Sequence, residues 1–219
     1  VSELIDTIDR NDLPHMREEL GDVLIQVVFH ACLAEEKGQF NFDDVARDIN
    51  EKLVRRHPHV FGDVTVGSSA DVESNWDAIK KSEKPERTGI FDGLAESAPS
   101  LQYAHKSQQR ASKQGFDWPD AHGALDKIAE EAAEVRAALG SIDPEAVATE
   151  IGDLLFSVVN VARHLDVDAE SALRAAVRKF RGRVESVEDL ARRTGRVLTD
   201  MTIDELDELW EVVKKGPTH

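Results

Sequence analysis

Glu3, Glu19 and Asp22, followed by the apolar run VLIQVV, recur 131 residues later as Glu134, Glu150 and Asp153, followed by LLFSVV. Two further pairs repeat in the same order. Lys52 and Arg56 answer Lys179 and Arg183, and Trp76 with Lys80 answers Trp210 with Lys214. A chain of 219 residues that repeats in this way reads as two copies of one unit, each with acidic, basic and Trp/Lys stations. Apolar residues recur at three and four residues over 16–37, 122–139, 145–165 and 169–194, the period of an amphipathic helix. Only VFGDVTVG at 60–67 has strand character, and Gly62 and Gly67 favour a loop there. The expected fold is therefore all-α, tandem helical modules assembling into four-helix bundles. One copy has too few helices to close a bundle, so pairing between copies or between chains is expected, with a homodimer as the leading assembly. The modules are read as 1–84 and 101–219, joined by a linker at 85–100 where proline, glycine and mixed charge collect.

The charge balance narrows the partners. Forty-three Asp and Glu against 27 Lys and Arg give a formal charge of −16, which argues against a nucleic-acid polymer or an anionic membrane. A phosphate ligand would then need a mediating cation. The single Cys32, within VVFHACLA, reads as a small core residue, and a disulfide framework is excluded. A reducing, cytoplasmic setting fits. No apolar run reaches the ~18 residues of a membrane span, and no basic-then-apolar leader opens the sequence.

Glu130, Glu131 and Glu134 in IAEEAAEV stand at i, i+1 and i+4, on roughly one sector of a helix, and none has a basic residue four places onward. Glu150 and Asp153 form a second acidic pair at i, i+3, and the helix they open continues as LLFSVVNVA, apolar on almost every side. A helix of that kind is expected to be buried, with its carboxylates facing the interior. Two carboxylates ~4 Å apart repel by about 4 kcal/mol at an effective dielectric of ~20, so a cluster requires protons or metal ions. Hard oxygen donors with no Cys or His at ligand spacing select Mg²⁺ or Mn²⁺ over Zn²⁺. The competing reading is a solvated acidic face. It leaves unexplained why an acidic pair opens an apolar helix, twice, at identical spacing.

The motif EExxE at Glu130, Glu131 and Glu134, followed by ExxD at Glu150 to Asp153, resembles the MazG family of all-α nucleoside triphosphate pyrophosphohydrolases. RRHPHVFG at 55–62, KSQQRASKQGFDW at 106–118 and GDLLFSVVNVARHL at 152–165 extend the likeness to the two-module bacterial form over essentially the whole chain. The resemblance implies Mg²⁺-dependent hydrolysis of nucleoside triphosphates to a nucleoside monophosphate and pyrophosphate. It implies that Glu131, Glu134, Glu150 and Asp153 coordinate the metal, with Glu130 beside them as a supporting group or general base. Lys179 and Arg183, one turn apart, suit triphosphate oxygens, and Lys106 joins them from the preceding helix; solvated cations are the plain alternative. Asn160, two turns past Asp153, is either a sugar or base contact or a satisfied core amide. Trp210 either stacks on the base, with Lys214 one turn on, or is simply packed.

The first copy departs from the pattern. It carries only Glu3 of an EExxE, since the two leading acids would fall ahead of residue 1, so catalysis is assigned to the second copy. His57 and His59 make a poor zinc site without further Cys or His, and with Pro58 they are expected to shape a helix end. Two rival readings are a narrower dCTP, dUTP or phosphoribosyl-ATP pyrophosphohydrolase, and a non-enzymatic acidic helical adaptor.

Overall fold

Short polar side chains open most of the helices by accepting from first-turn backbone N–H groups that have no partner within the helix. In the computed structural model, which describes residues 1–62, 67–68, 72, 75–76, 79, 82–83, 88–140 and 143–215, the protein is all-α, with no strand among these residues. The chain divides into two units, Val1–Arg87 and Thr88–His219.

In the first unit α1 (Ser2–Arg10) ends at Asn11 in the left-handed conformation, and Asp12 then caps α2 (Leu13–Glu36). Asn41 and Asp44 form a reciprocal capping box at the start of α3 (Phe42–Arg56). Pro58 cannot extend α3 but suits a first turn, so the chain restarts as the short α4 (Pro58–Phe61). His57 marks the join, its Nδ1 2.8 Å from the Leu53 carbonyl, which agrees with a role at a helix end. Most of VFGDVTVG and the whole of Lys80 lie outside the described residues.

The second unit holds α5 (Ser100–Ser112), α6 (Ala121–Ala138), α7 (Pro144–His164), α8 (Ala169–Arg193) and α9 (Ile203–Lys215). Asp120, Asp143 and Asp168 cap α6, α7 and α8. A short connection folds α7 back along α6, and this hairpin is the most extensive helix pairing among the described residues. Within the segment read as a linker, Ile90 and Asp92 offer their carbonyls to Arg110 at 2.9 and 2.8 Å; residues 84–87 lie outside the described residues.

The single chain buries little apolar surface. Among the described residues the buried apolar side chains are Ala31, Ala34, Ala124, Val159, Val187 and Ala191, mostly small. The expectation that α7 is enclosed on all sides is not met: Ile151, Leu155 and Val158 remain 45%, 51% and 45% exposed. A hairpin covers one flank of such a helix and leaves the other open. Cys32 is likewise exposed, not in the core: α2 turns Ala31 and Ala34 inward, and Cys32 falls on the open flank. No helix among the described residues is long and apolar enough to cross a membrane.

Candidate metal and phosphate site

The α6–α7 hairpin brings Glu131, Glu150 and Asp153 together, with one carboxylate oxygen of each lying within 4.8 Å of the others. Burial grades across the group. Glu131 is only 3% exposed, Glu150 is half-buried and Asp153 is exposed, so the cluster has a closed floor and an open mouth. Glu131 Oε1 accepts from Lys127 Nζ at 2.6 Å, whereas Oε2 is buried with no hydrogen-bond partner. An unpaired buried carboxylate oxygen is costly, and it faces a problem that a cation bound there would solve. The residues fit a hard divalent ion: three converging carboxylates, oxygen donors throughout, and one donor atom left unsatisfied.

Neighbouring acids divide by their angle around α6. One residue step is ~100°, enough to turn Glu130 out of the cluster that Glu131 enters. The Glu130 side chain is 58% exposed and bonds to Lys127 at 3.0 Å. Glu134, one turn beyond Glu130, remains within the field of the group: the Glu131 charge, then burial and the Glu150 charge, hold its carboxyl above the usual range. Lys127 is the residue that the sequence reading missed. It precedes Glu131 by four places, and both carboxylates raise its pKa. Looking for cations only onward from the acids passes over it.

The basic and aromatic stations meet on α8 and α9. The Arg183 guanidinium lies 5.7 Å from the Trp210 ring centroid, and the Phe180 ring lies 5.7 Å from the same ring. Trp210 is thus packed among protein groups, with a cation against it. The first unit repeats the pair, with Arg56 5.5 Å from the Trp76 ring. There Arg56 and Arg55 also grip Glu83, holding its carboxyl down at about 2. Lys179 and Lys106 are exposed, and Lys214 pairs with Glu211 at 3.1 Å.

Asn160 belongs to a network at the far end of α7. Its Oδ1 accepts from Arg163 at 3.1 Å (Nε) and 2.7 Å (Nη2), and Arg163 in turn bonds to Asp117. His164 Nε2 lies 3.1 Å from the same Asp117 carboxylate. Burial opposes ionisation of Asp117, but Arg163, the Trp118 backbone N–H and His164 outweigh it and hold the carboxyl low. Gly115, at φ +81°, makes the turn that sets Asp117 in place, and Gly123 leaves room for the Trp118 ring, which a Cβ would meet at 2.8 Å.

In the first unit the acids also feel one another. Burial, then the charges of Glu3, Asp22 and Glu18, push the Glu19 carboxyl up. Among the described residues, however, the carboxylate oxygens that converge to within 4.8 Å are those of Glu131, Glu150 and Asp153.

Comparison with known proteins agrees with this geometry. The model of the MazG nucleotide pyrophosphohydrolase domain matches residues 1–61 and 120–188, which include both acidic stations. The chain is 47% identical over 215 residues to the nucleoside triphosphate pyrophosphohydrolase/pyrophosphatase MazG of Thermotoga maritima, covering 98% of this chain and 82% of that protein. It is 40% identical over 217 residues to the nucleoside triphosphate pyrophosphohydrolase of Escherichia coli K12, covering 97% and 82%. A nucleoside triphosphate pyrophosphohydrolase of Mycobacterium tuberculosis is 33% identical over 214 residues, covering 95% and 55%. With both acidic stations inside the matched segments and relatives aligned over nearly its full length, this chain belongs to the MazG nucleotide pyrophosphohydrolase family.

Proposed function

We propose that the chain hydrolyses nucleoside triphosphates to a nucleoside monophosphate and pyrophosphate, with Mg²⁺ held by Glu131, Glu150 and Asp153 and by Glu134 at their edge. The observation that carries this reading is the convergence of Glu131, Glu150 and Asp153 to within 4.8 Å, with one oxygen of Glu131 buried and without a hydrogen-bond partner. Mn²⁺ suits the same donors. The bound ion would neutralise the triphosphate and acidify water, worth several kcal/mol of transition-state charge.

The protein groups then have separate tasks. Lys127 holds one oxygen of Glu131 in place at 2.6 Å. The attacking water gives its proton to a carboxylate beside the metal ligands, and Glu130, 58% exposed and bonded to Lys127 at 3.0 Å, stands next to the cluster without being one of its ligands. Water attacks the α-phosphorus, the bond from that phosphorus to the bridging oxygen breaks, and pyrophosphate leaves. Lys179 and Arg183, with Lys106, neutralise the leaving group, Trp210 backs Arg183 from one side, and Lys214 and the amide N–H groups of Asn160 serve the nucleoside. No P-loop is present in the sequence, so phosphate binding falls to side chains.

The active form is a homodimer. Leu24 and Leu155, at corresponding positions of the two copies, are 55% and 51% exposed, and covering such side chains is worth on the order of 1 kcal/mol each. A cytoplasmic location matches a triphosphate substrate. The test is hydrolysis of mixed nucleoside triphosphates in ¹⁸O-labelled water, with and without a chelator. Metal-dependent release of pyrophosphate, with label only in the monophosphate, is expected. Label in free phosphate beside a nucleoside diphosphate would sink the proposal.

A further inference from the structure

Gln108 lies inside α5 with 7% of its surface exposed. Its Nε2 donates to the Phe156 carbonyl of α7 at 2.8 Å, which fixes the direction of the amide. The other end, Oε1, is buried with no hydrogen-bond partner. A buried amide oxygen left unpaired costs stability, so it is a position waiting for a donor. Where it lies indicates which donor. Phe156 follows Asp153 by three residues, about one helical turn or ~5 Å along the axis. The carbonyl that Gln108 holds is also the one that the Asn160 backbone N–H meets in the helix ladder. Gln108 therefore stands one turn beyond the acidic group, on the way to Asn160. A nucleotide whose α-phosphorus sits at that group reaches its sugar at about this remove.

We infer that Gln108 is a specificity-determining residue whose Oε1 accepts a hydrogen bond from a hydroxyl of the substrate sugar. This rests on the triphosphate reading of the acidic site. Free enzyme carries the unpaired oxygen; bound nucleotide supplies the missing donor, so a substrate without that hydroxyl leaves the acceptor buried and unmet.

The experiment compares ATP, 2′-deoxy-ATP and 3′-deoxy-ATP on the wild-type protein, Gln108→Met and Gln108→Glu, reading kcat and KM by pyrophosphate release and folding by thermal melting. The wild type should favour ATP over one deoxy analogue by about tenfold in kcat/KM. Gln108→Met, similar in volume but without an acceptor, should raise KM for ATP about tenfold and erase that preference, with no fall in Tm. Gln108→Glu keeps an oxygen in place and should retain part of the preference, which holds the test open should the methionine variant misfold. Equal losses on all three nucleotides would make Gln108 a packing residue and overturn the inference. A wild type that ignores both sugar hydroxyls overturns it too, while leaving the hydrolytic reading intact; a wild type that releases pyrophosphate from none of the three removes both.

Discussion

Lys127 Nζ and Glu131 Oε1 form a 2.6 Å ion pair across one turn of α6, on the same carboxylate whose second oxygen has no partner. One oxygen is committed to a tethered cation, and the other is the one the proposed metal would engage. The pair gives a deeply buried carboxylate one charged partner, and breaking such a pair from one side is costly.

Replacing Lys127 by Met should then have opposite effects with and without metal. Without it, Glu130 and Glu131 lose the cation that pairs with both of them, and Tm should fall. With it, removal of a competing positive charge should tighten binding of Mn²⁺ by roughly 3–10-fold, as a charge a few ångströms away acts through a partly screened medium. Calorimetric titration of the free protein with Mn²⁺ reads this directly. Unchanged affinity would mean that Lys127 and the metal do not share Glu131.

Glu150→Gln and Asp153→Asn remove charge from the cluster while keeping volume. Each should lower turnover by about 100-fold or more, in line with loss of a metal ligand, without loss of helix content by circular dichroism. Metal-free Tm should hold or rise, because like-charge repulsion falls. Glu19→Gln and Asp22→Asn, in the unit whose acids do not converge as Glu131, Glu150 and Asp153 do among the described residues, should leave most activity in place. Equal inactivation from both sets would show that the two copies act as one site.

How much of this could be read beforehand depends on whether an interaction runs along one helix or across several. The 131-residue repeat and the three-to-four residue period reveal the helices and their acidic stations, because both are properties of single segments. Glu131 and Glu130 are adjacent in sequence, yet one is buried and the other is not; a period alone does not say which side of a helix its neighbour will cover. Gln108 falls within the motif at 106–118, but the sequence does not single it out, since its meaning comes from a carbonyl 48 residues away on another helix. The apolar run of α7 predicts an enclosed helix, but hydropathy reports which side chains are apolar and not what lies against them.

Acid should expose the first unit's own ion pairs. Arg56, then Arg55, hold the Glu83 carboxyl at about 2 against an ordinary 4.5. Between these values the unfolded chain binds more protons than the folded one, so this contribution is complete above pH 4.5 and is lost as pH falls toward about 2. Glu83→Gln should therefore melt below the wild type at pH 7, and the gap should close on acidification through that window. A gap that stays constant from pH 7 to pH 2.5 would show that the glutamate contributes by shape and not by charge.

Leu155 offers the sharpest test of what covers α7. It lies two residues past Asp153 and is 51% exposed in the single chain, and Leu24, its counterpart in the first copy, is 55% exposed. Beside them Gly152 and Gly21 have open space where a Cβ would stand, so the backbone there is free to be approached closely. If the chain works alone, Leu155→Asp replaces a half-solvated side chain with a solvated one, and stability should change by no more than about 0.5 kcal/mol, the range for surface substitutions. If a second copy covers α7, the same change buries an unpaired charge in the interface and should cost several kcal/mol of association. Light scattering behind size exclusion separates the two. The homodimer reading expects a wild type of about twice the 24.3 kDa chain mass and a Leu155→Asp variant shifted to the chain mass with lower Tm. A wild type that runs at the chain mass, with a variant that melts alongside it, would leave α7 open to solvent and end the dimer proposal.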